Sequence, residues 1–259
     1  MKRIFFISVL FCVCVVFPGI GMGQGRRVPN MPSYDHEKFH FGFVLGVNQT
    51  LMSLRPVDNI SSIMWDTTFL PDILPMPDSA RILNMEFSPT PGFVISIVSD
   101  MRVGKHFNIR FVPSLAFGDR DINYDIETYR DNDTAVLAIT KRIPSTYINF
   151  PLELKYTAVR DHNFRPYLMT GVQYSLDLAS QAKKREKRNL GQKIVKFRQN
   201  DIYLQAAVGA DFYNEWFKFG VEVKMMYGMR DVLKREHNIY TDGIESLRSK
   251  IFQVSFTFE

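Results

Sequence analysis

Cysteine is almost absent from this chain. The two cysteines, Cys12 and Cys14, lie in an apolar stretch close to the amino terminus. If that stretch is removed, the mature protein has no thiol, which excludes disulfides, thiol chemistry and sulfur-ligated metal sites. Neither cysteine follows the small residue that a lipoprotein cleavage site requires, so the sequence does not predict lipidation.

Long apolar runs are also missing after residue 17. Lys2 and Arg3 precede an apolar stretch over residues 4–17, and small residues follow it as far as Gly23. This pattern predicts a secretory signal peptide over residues 1–23. The apolar stretch is shorter than the roughly 20 residues that a membrane-spanning helix needs, and no later run is long enough, which argues against helical spans.

The charge of the chain is nearly balanced. The formal net charge of +5 falls to +3 when Lys2 and Arg3 are removed. So small an excess does not favour nucleic-acid binding, and we expect no nucleic-acid partner. Phenylalanine, by contrast, is abundant, with 22 residues in a chain that is 14% aromatic. This composition suits a protein that faces lipid.

Eight segments alternate between apolar and polar side chains with the period of two that indicates β-strands. The connections between them are alternately long and short, which is typical of an up-and-down barrel whose two ends meet different compartments. The long connections are residues 49–91, 119–145, 177–201 and 228–249. The predicted strands are 39–48, 92–101, 107–118, 146–157, 165–176, 202–212, 216–227 and 250–258.

The predicted fold is therefore all-β: an eight-stranded antiparallel up-and-down transmembrane β-barrel with long outer loops and short periplasmic turns. Residues 24–38 form a periplasmic segment and residues 39–259 the barrel, with both termini periplasmic, in the outer membrane of a Gram-negative bacterium. A soluble antiparallel sandwich alternates in the same way. Strand lengths of about 9–12 residues favour the barrel, as does a second face that combines charges with small residues. Pro113 and Pro151 each remove a ladder donor, which predicts β-bulges.

Three motifs resemble a known family. They are Tyr147-Ile-Asn-Phe-Pro-Leu-Glu-Leu-Lys-Tyr156, Arg165-Pro-Tyr-Leu-Met-Thr-Gly171 and Val208-Gly-Ala-Asp-Phe-Tyr213. In this order, and with the long first loop, the chain resembles the PorT family of outer-membrane β-barrel proteins. The resemblance implies a non-enzymatic role in the type IX secretion system, in protein export or in assembly of the machinery, with other type IX components as partners. One departure is the terminus, where Glu259 follows the aromatic Phe258.

Six charged residues share the face that is predicted to line the lumen. Eight strands enclose an interior just wide enough for side chains, and buried charges need partners. We expect a salt-bridged plug, and the alternative is a polar channel or proton relay. The six residues are Arg110, Glu153, Lys155, Lys218, Glu222 and Lys224.

Two loop segments are candidate contact sites for a partner or for lipopolysaccharide. One is a basic run in the third outer loop, for which a solvated loop is the alternative. The other is the proline-rich first loop, which either docks onto a partner or folds over the mouth of the barrel. The candidate residues are Lys183, Lys184, Arg185, Lys187, Arg188, Trp65 and Phe69.

Motifs for catalysis have little support. The five histidines fall on the predicted tail, lumen and loops, and no Gly-x-Ser-x-Gly nucleophile elbow occurs. We therefore expect no catalytic, cofactor-binding or metal-ligating residues. The alternatives to an export role are a passive small-solute channel, a structural or adhesive barrel, and a lipid-modifying enzyme that uses His237 with a loop Ser or Asp.

Overall fold

The computed structural model describes residues 29–66, 77–131, 133–178, 195–235 and 238–259. Within these ranges, eleven strands form one sheet and two more form a small second sheet, and all pairs are antiparallel. The helices are short: an α-helix at Ile239–Asp242 and 3-10 turns at Tyr34–His36 and Ile60–Ser62. No helix in the described residues is long and apolar enough to cross a membrane.

The strands differ widely in length, from two residues to the 25 residues of β7. Their bounds are β1 (Phe39–Pro56), β2 (Trp65–Asp66), β3 (Ser79–Ser88), β4 (Thr90–Arg102), β5 (Phe107–Phe111), β6 (Ser114–Arg130), β7 (Asp133–Thr157), β8 (Phe164–Asp177), β9 (Lys196–Phe197), β10 (Asn200–Tyr213), β11 (Lys218–Gly228), β12 (Leu233–Lys234) and β13 (Ile244–Phe258).

The pairing of the large sheet returns to its first strand. β1 pairs with β13 along one edge and with β4 along the other. From β13 the ladder continues through β11, β10, β8 and β7 to β5 and β6, and both of these pair with β4. The fold is thus all-β, antiparallel and barrel-like. We call the end where β1 starts and β13 finishes the terminal end, and the opposite end the loop end.

Each predicted strand overlaps an observed one, but the predicted long loops also contain strand, most of all in two places. Residues 119–145 are mostly strand, because β6 and β7 continue as a hairpin past the predicted ends. The predicted loop 49–91 contains β3, which pairs with β6. The alternation continues in these extensions with its polarity reversed, so that Ile122 and Tyr124 point inward and the polar residues point outward.

The predicted β-bulges at the two prolines were also wrong. Ser99 pairs with Phe111, and Ser96 pairs with Ser114, so two residues lie between the two pairs on each strand and no residue is inserted. Pro113 interrupts the strand without shifting its register, and its carbonyl still accepts from the Ile97 amide at 3.1 Å. Pro151 stays within the regular β7–β8 ladder.

The circular ladder can be tested with cysteines, because the chain has none after residue 14. Val47 on β1 is the direct partner of Val254 on β13, and Val254 pairs in turn with Val223 on β11. Direct antiparallel partners lie about 5.5 Å apart at Cα or closer, which suits a disulfide. Oxidised V47C/V254C should therefore form an intramolecular crosslink on a non-reducing gel. The matched pair V47C/V223C, one strand further apart, should not; equal crosslinking of both pairs would contradict the register.

Candidate functional site

All six predicted lumen charges lie inside the ring, and each has an exposure of 7% or less. Lys224 links two acids, since its Nζ lies 2.5 Å from Glu153 Oε1 and 3.1 Å from Glu222 Oε1. The other oxygen of Glu222 accepts from Arg110 Nη1 at 3.4 Å and from the Tyr167 hydroxyl at 3.1 Å. The inward face of these strands thus carries one connected group of charges, which we call the lumen network.

Three acids of the lumen network were missed by the sequence analysis. Asp211 accepts from Lys155 at 2.7 Å, and Asp100 Oδ2 lies 3.6 Å from Arg110 Nε. Glu259 pairs with Lys218 and, at 3.4 Å, with Arg110. The alternation could have found two of them, because Asp211 continues the polar face of β10 and Glu259 continues that of β13. Asp100, by contrast, shares the inward face of β4 with the buried Val94 and Val98. Glu259, which departs from an aromatic terminus, is thereby a lumen residue.

Small residues leave room for the lumen network. A Cβ at Gly209 would lie 2.4 Å from the Tyr167 ring, so glycine is needed for the ring to cross this strand. The Tyr167 ring in turn lies under the Lys155 ammonium, with Nζ 3.8 Å from its centroid. A cation–π contact of this kind stabilises a desolvated ammonium group.

The segment before β1 closes the terminal end. Tyr34 is buried, stacks on His40 with ring centroids 3.9 Å apart, and donates its hydroxyl to Glu259 at 2.7 Å. Asp35 accepts two hydrogen bonds from Arg165, at 2.8 and 3.0 Å. We call residues 29–38 the terminal plug. It is held mainly by polar contacts and joins the lumen network through Glu259.

An apolar cluster, which we call the loop-end cap, fills the opposite end. The Tyr124 hydroxyl donates to the Tyr240 carbonyl at 3.0 Å, and burial raises the pKa of this phenol. Lys141 lies over the Tyr240 ring at 4.4 Å. The buried members of the cap are Trp65, Ala80, Ile82, Ile122, Tyr124, Ile126, Ile143, Val195, Phe197, Val232, Leu233, Ile239, Tyr240, Ile244 and Leu247.

The structure places one of the seven loop candidates. Trp65 is 6% exposed within the loop-end cap, and its strand pairs with β3. The indole of Trp65 therefore packs inside the cap and offers no surface to a partner. This corrects the prediction that Trp65 is a contact residue. Phe69 and the basic run Lys183, Lys184, Arg185, Lys187 and Arg188 lie outside the described residues.

Two histidines have a spacing that the sequence analysis overlooked. His36-Glu37-Lys38-Phe39-His40 matches the His-Glu-x-x-His pattern of zinc peptidases, which needs a helix to bring both rings to one side. Here His36 ends a 3-10 turn and His40 lies in β1, where its Nε2 is 2.9 Å from the Tyr34 carbonyl oxygen. Among the described residues, no group of three or more potential ligands could hold a metal ion.

Comparison with known protein families identifies the family of this chain. A family model described as "Outer membrane protein beta-barrel domain" matches residues 22–234. OprG of Pseudomonas aeruginosa, an outer membrane protein, is 17% identical with a TM-score of 0.36, over 85% of this chain and 94% of that one. The outer membrane protease OmpT of Escherichia coli is 10% identical with a TM-score of 0.38, over 90% and 98%. A search of curated proteins found no match.

Removal of one acid from the lumen network should destabilise the protein strongly. Lys155 has no ion-pair partner except Asp211 among the described residues. Asp211→Asn therefore leaves a buried cation unpaired, and we expect the free energy of unfolding in detergent to fall by about 3–5 kcal/mol.

Two control variants distinguish the loss of the ion pair from an unspecific effect of substitution. Asp211→Asn/Lys155→Met removes both charges and should recover most of the loss. Glu86→Gln, at an exposed position of β3, should change little. An Asp211→Asn protein as stable as the wild type would show that the pair contributes nothing.

Proposed function

We propose a function on the premise that the chain belongs to the family of outer membrane protein beta-barrel domains. In this proposal β5 and β6 are one strand interrupted at Pro113, so that the ring of long strands is an eight-stranded up-and-down barrel. The barrel spans the outer membrane with its long loops outward. Both termini and the three short turns, at residues 102–106, 158–164 and 213–215, face the periplasm.

The outward faces support a membrane-spanning role. Leu115 on β6 is 43% exposed, Leu152 on β7 is 53% exposed and Ile97 on β4 is 66% exposed, although all are apolar. Towards the loop end the outward residues of β6 become polar, from Asp119 to Glu127, while its inward residues become apolar. A reversal of this kind fits a strand that leaves lipid and enters water.

The observation that carries the functional proposal is the closure of the interior. The lumen network occupies the middle, the terminal plug covers one end and the loop-end cap covers the other. Eight strands leave little space beyond their own side chains. We infer that no solute passes through the barrel and that the protein acts through its outer surfaces.

We propose that this closed barrel is a non-enzymatic accessory of protein export, in the type IX secretion system or its assembly. The three motifs that resemble the PorT family support this role, and two of them include lumen residues: Glu153 and Lys155 in one, Asp211 in another. The partners are other type IX components, together with membrane lipid and lipopolysaccharide. A structural or adhesive barrel is the second candidate, because it too would need a closed, stable interior.

A closed interior predicts that the purified protein gives no steady conductance in planar bilayers. Deletion of residues 29–38 removes the terminal plug but leaves the lumen network, so this variant should also be silent. If the deletion variant conducts ions and the wild-type protein does not, the terminal plug closes the interior and the lumen network does not. Large, stable conductance of the wild-type protein would support the passive channel instead.

The export role predicts a secretion phenotype. A strain that lacks the gene should retain proteins with the type IX C-terminal signal in the periplasm, as measured by immunoblotting of cell fractions. Complementation with the wild-type gene should restore export. Normal secretion from the deletion strain would refute the export role and leave the structural or adhesive barrel as the better candidate.

The proposed contact site in the basic run predicts a defect in export without a defect in folding. Replacement of Lys183, Lys184, Arg185, Lys187 and Arg188 by Gln should leave a folded, heat-modifiable barrel but reduce export. The control is a variant in which five lysine or arginine residues outside the basic run are replaced by Gln, so that the change in net charge is the same. Normal export from the loop variant would move the contact site and leave the export role intact.

A further inference from the structure

Two cations lie at the point where the outward face of β13 leaves the apolar belt. The outward residues of this strand, from the terminal end, are Phe258, Phe256, Val254 and Phe252, and Lys250 and Arg248 follow them directly. Eight residues separate Phe258 from Lys250. At about 3.4 Å per residue and a tilt of about 40°, this distance is roughly 21 Å along the membrane normal. The apolar band of an outer-membrane barrel is about 25 Å tall, so Lys250 lies close to its edge.

The neighbouring strand β11 places one aromatic ring beside the two cations. Tyr227 on β11 is the direct partner of Lys250, whose Nζ lies 5.6 Å from the centre of its ring. Arg248 hydrogen-bonds to the Tyr227 side chain. On the other side, Lys250 faces Leu51 and Arg248 faces Ser53, both on β1. The two cations and the phenol thus form one outward cluster that spans β11 and β13.

This cluster has an excess of positive charge. The nearest acid along β13 is Glu245, and its carboxylate is already paired with Arg55 at 3.0 Å. Among the described residues, neither Arg248 nor Lys250 takes part in an ion pair. Arginine, lysine and tyrosine side chains all donate hydrogen bonds. Donors of this kind, two of them positively charged, recognise phosphate oxygens. At the lipid boundary, the phosphates of the lipids themselves are the anions within reach.

We propose that Arg248, Lys250 and Tyr227 form a binding site for the phosphate groups of lipid A, the lipid part of lipopolysaccharide, at the outer boundary of the apolar belt. The site deepens the proposed function, because it depends on the orientation in which the loop end faces outward. The acyl chains of the lipid lie along Phe252 and Met225, and its phosphate contacts the two cations above them. Membrane lipid then binds this face of the barrel at a defined place.

The test uses the full-length protein in detergent and measures bound lipid by native mass spectrometry. Bis-phosphorylated lipid A should bind the wild-type protein, and R248Q/K250Q should bind it about tenfold more weakly. R248K/K250R keeps the charges and should bind nearly as well as the wild type. The matched control is K38Q, because Lys38 also lies over a ring, that of Phe39 at 5.8 Å, but at the opposite end of the barrel.

Further arms identify the ligand chemistry. Lipid A without phosphate groups should bind the wild type as weakly as bis-phosphorylated lipid A binds R248Q/K250Q. Millimolar inorganic phosphate should not displace the lipid, and displacement by phosphate alone would indicate a simple anion site and overturn the proposal. Equal binding by the wild type, R248Q/K250Q and K38Q would also overturn it. Heat-modifiable migration establishes that each variant is folded. Secretion is not the readout, so failure of the lipid site and failure of the export role are distinguishable.

Discussion

Charge buried inside a ring of backbone hydrogen bonds is the constraint on which this structure depends. The four cations of the lumen network, Arg110, Lys155, Lys218 and Lys224, are nearly excluded from solvent, and an isolated buried charge is too costly to keep. Each cation has an acid from another strand, such as Asp100 from β4, Asp211 from β10 and Glu259 from the end of β13. The network is therefore complete only when the ring is closed.

This dependence connects the closure of the ladder to the two termini. The β1–β13 pairing brings Glu259 to the terminal end, where it meets both Lys218 and the hydroxyl of Tyr34. Tyr34 belongs to the segment before β1, and Glu259 is the residue after β13. A single carboxylate thus ties the terminal plug, the last strand and the lumen cations together. Glu259 therefore neutralises buried cations of the lumen network.

Period-two alternation predicted the strand positions, and the lumen residues follow from it. Asp211 and Glu259 also lie on polar faces that the alternation defines, whereas Asp100 shares the inward face of β4 with two buried valines. Loops were harder to predict. Residues 119–130 were predicted to lie in a loop, although they alternate with a period of two in β6. Beyond the lipid boundary water covers the outside, and the apolar residues Ile122 and Tyr124 turn inward to form the cap.

Other features depended on contacts that the sequence does not encode locally. A proline removes one ladder donor wherever it stands, but whether a bulge results depends on the neighbouring strands. At Pro113 the β4 and β7 partners keep their register, so the strand is interrupted and not shifted. The His36–His40 spacing is likewise uninformative alone, since the chain at His40 is extended and its ring packs on Tyr34.

The two ends of the barrel are closed by different physical interactions, and this difference bears on function. The terminal plug is held by hydrogen bonds and ion pairs around Asp35 and Tyr34, which water and salt can replace. The loop-end cap is held by apolar packing around Tyr240 and Leu233, which water opposes. A partner at the terminal end would exchange polar contacts with the plug at little cost, whereas the cap gives the loops at the opposite end a fixed base. The barrel is therefore better suited to hold its loops in place than to open.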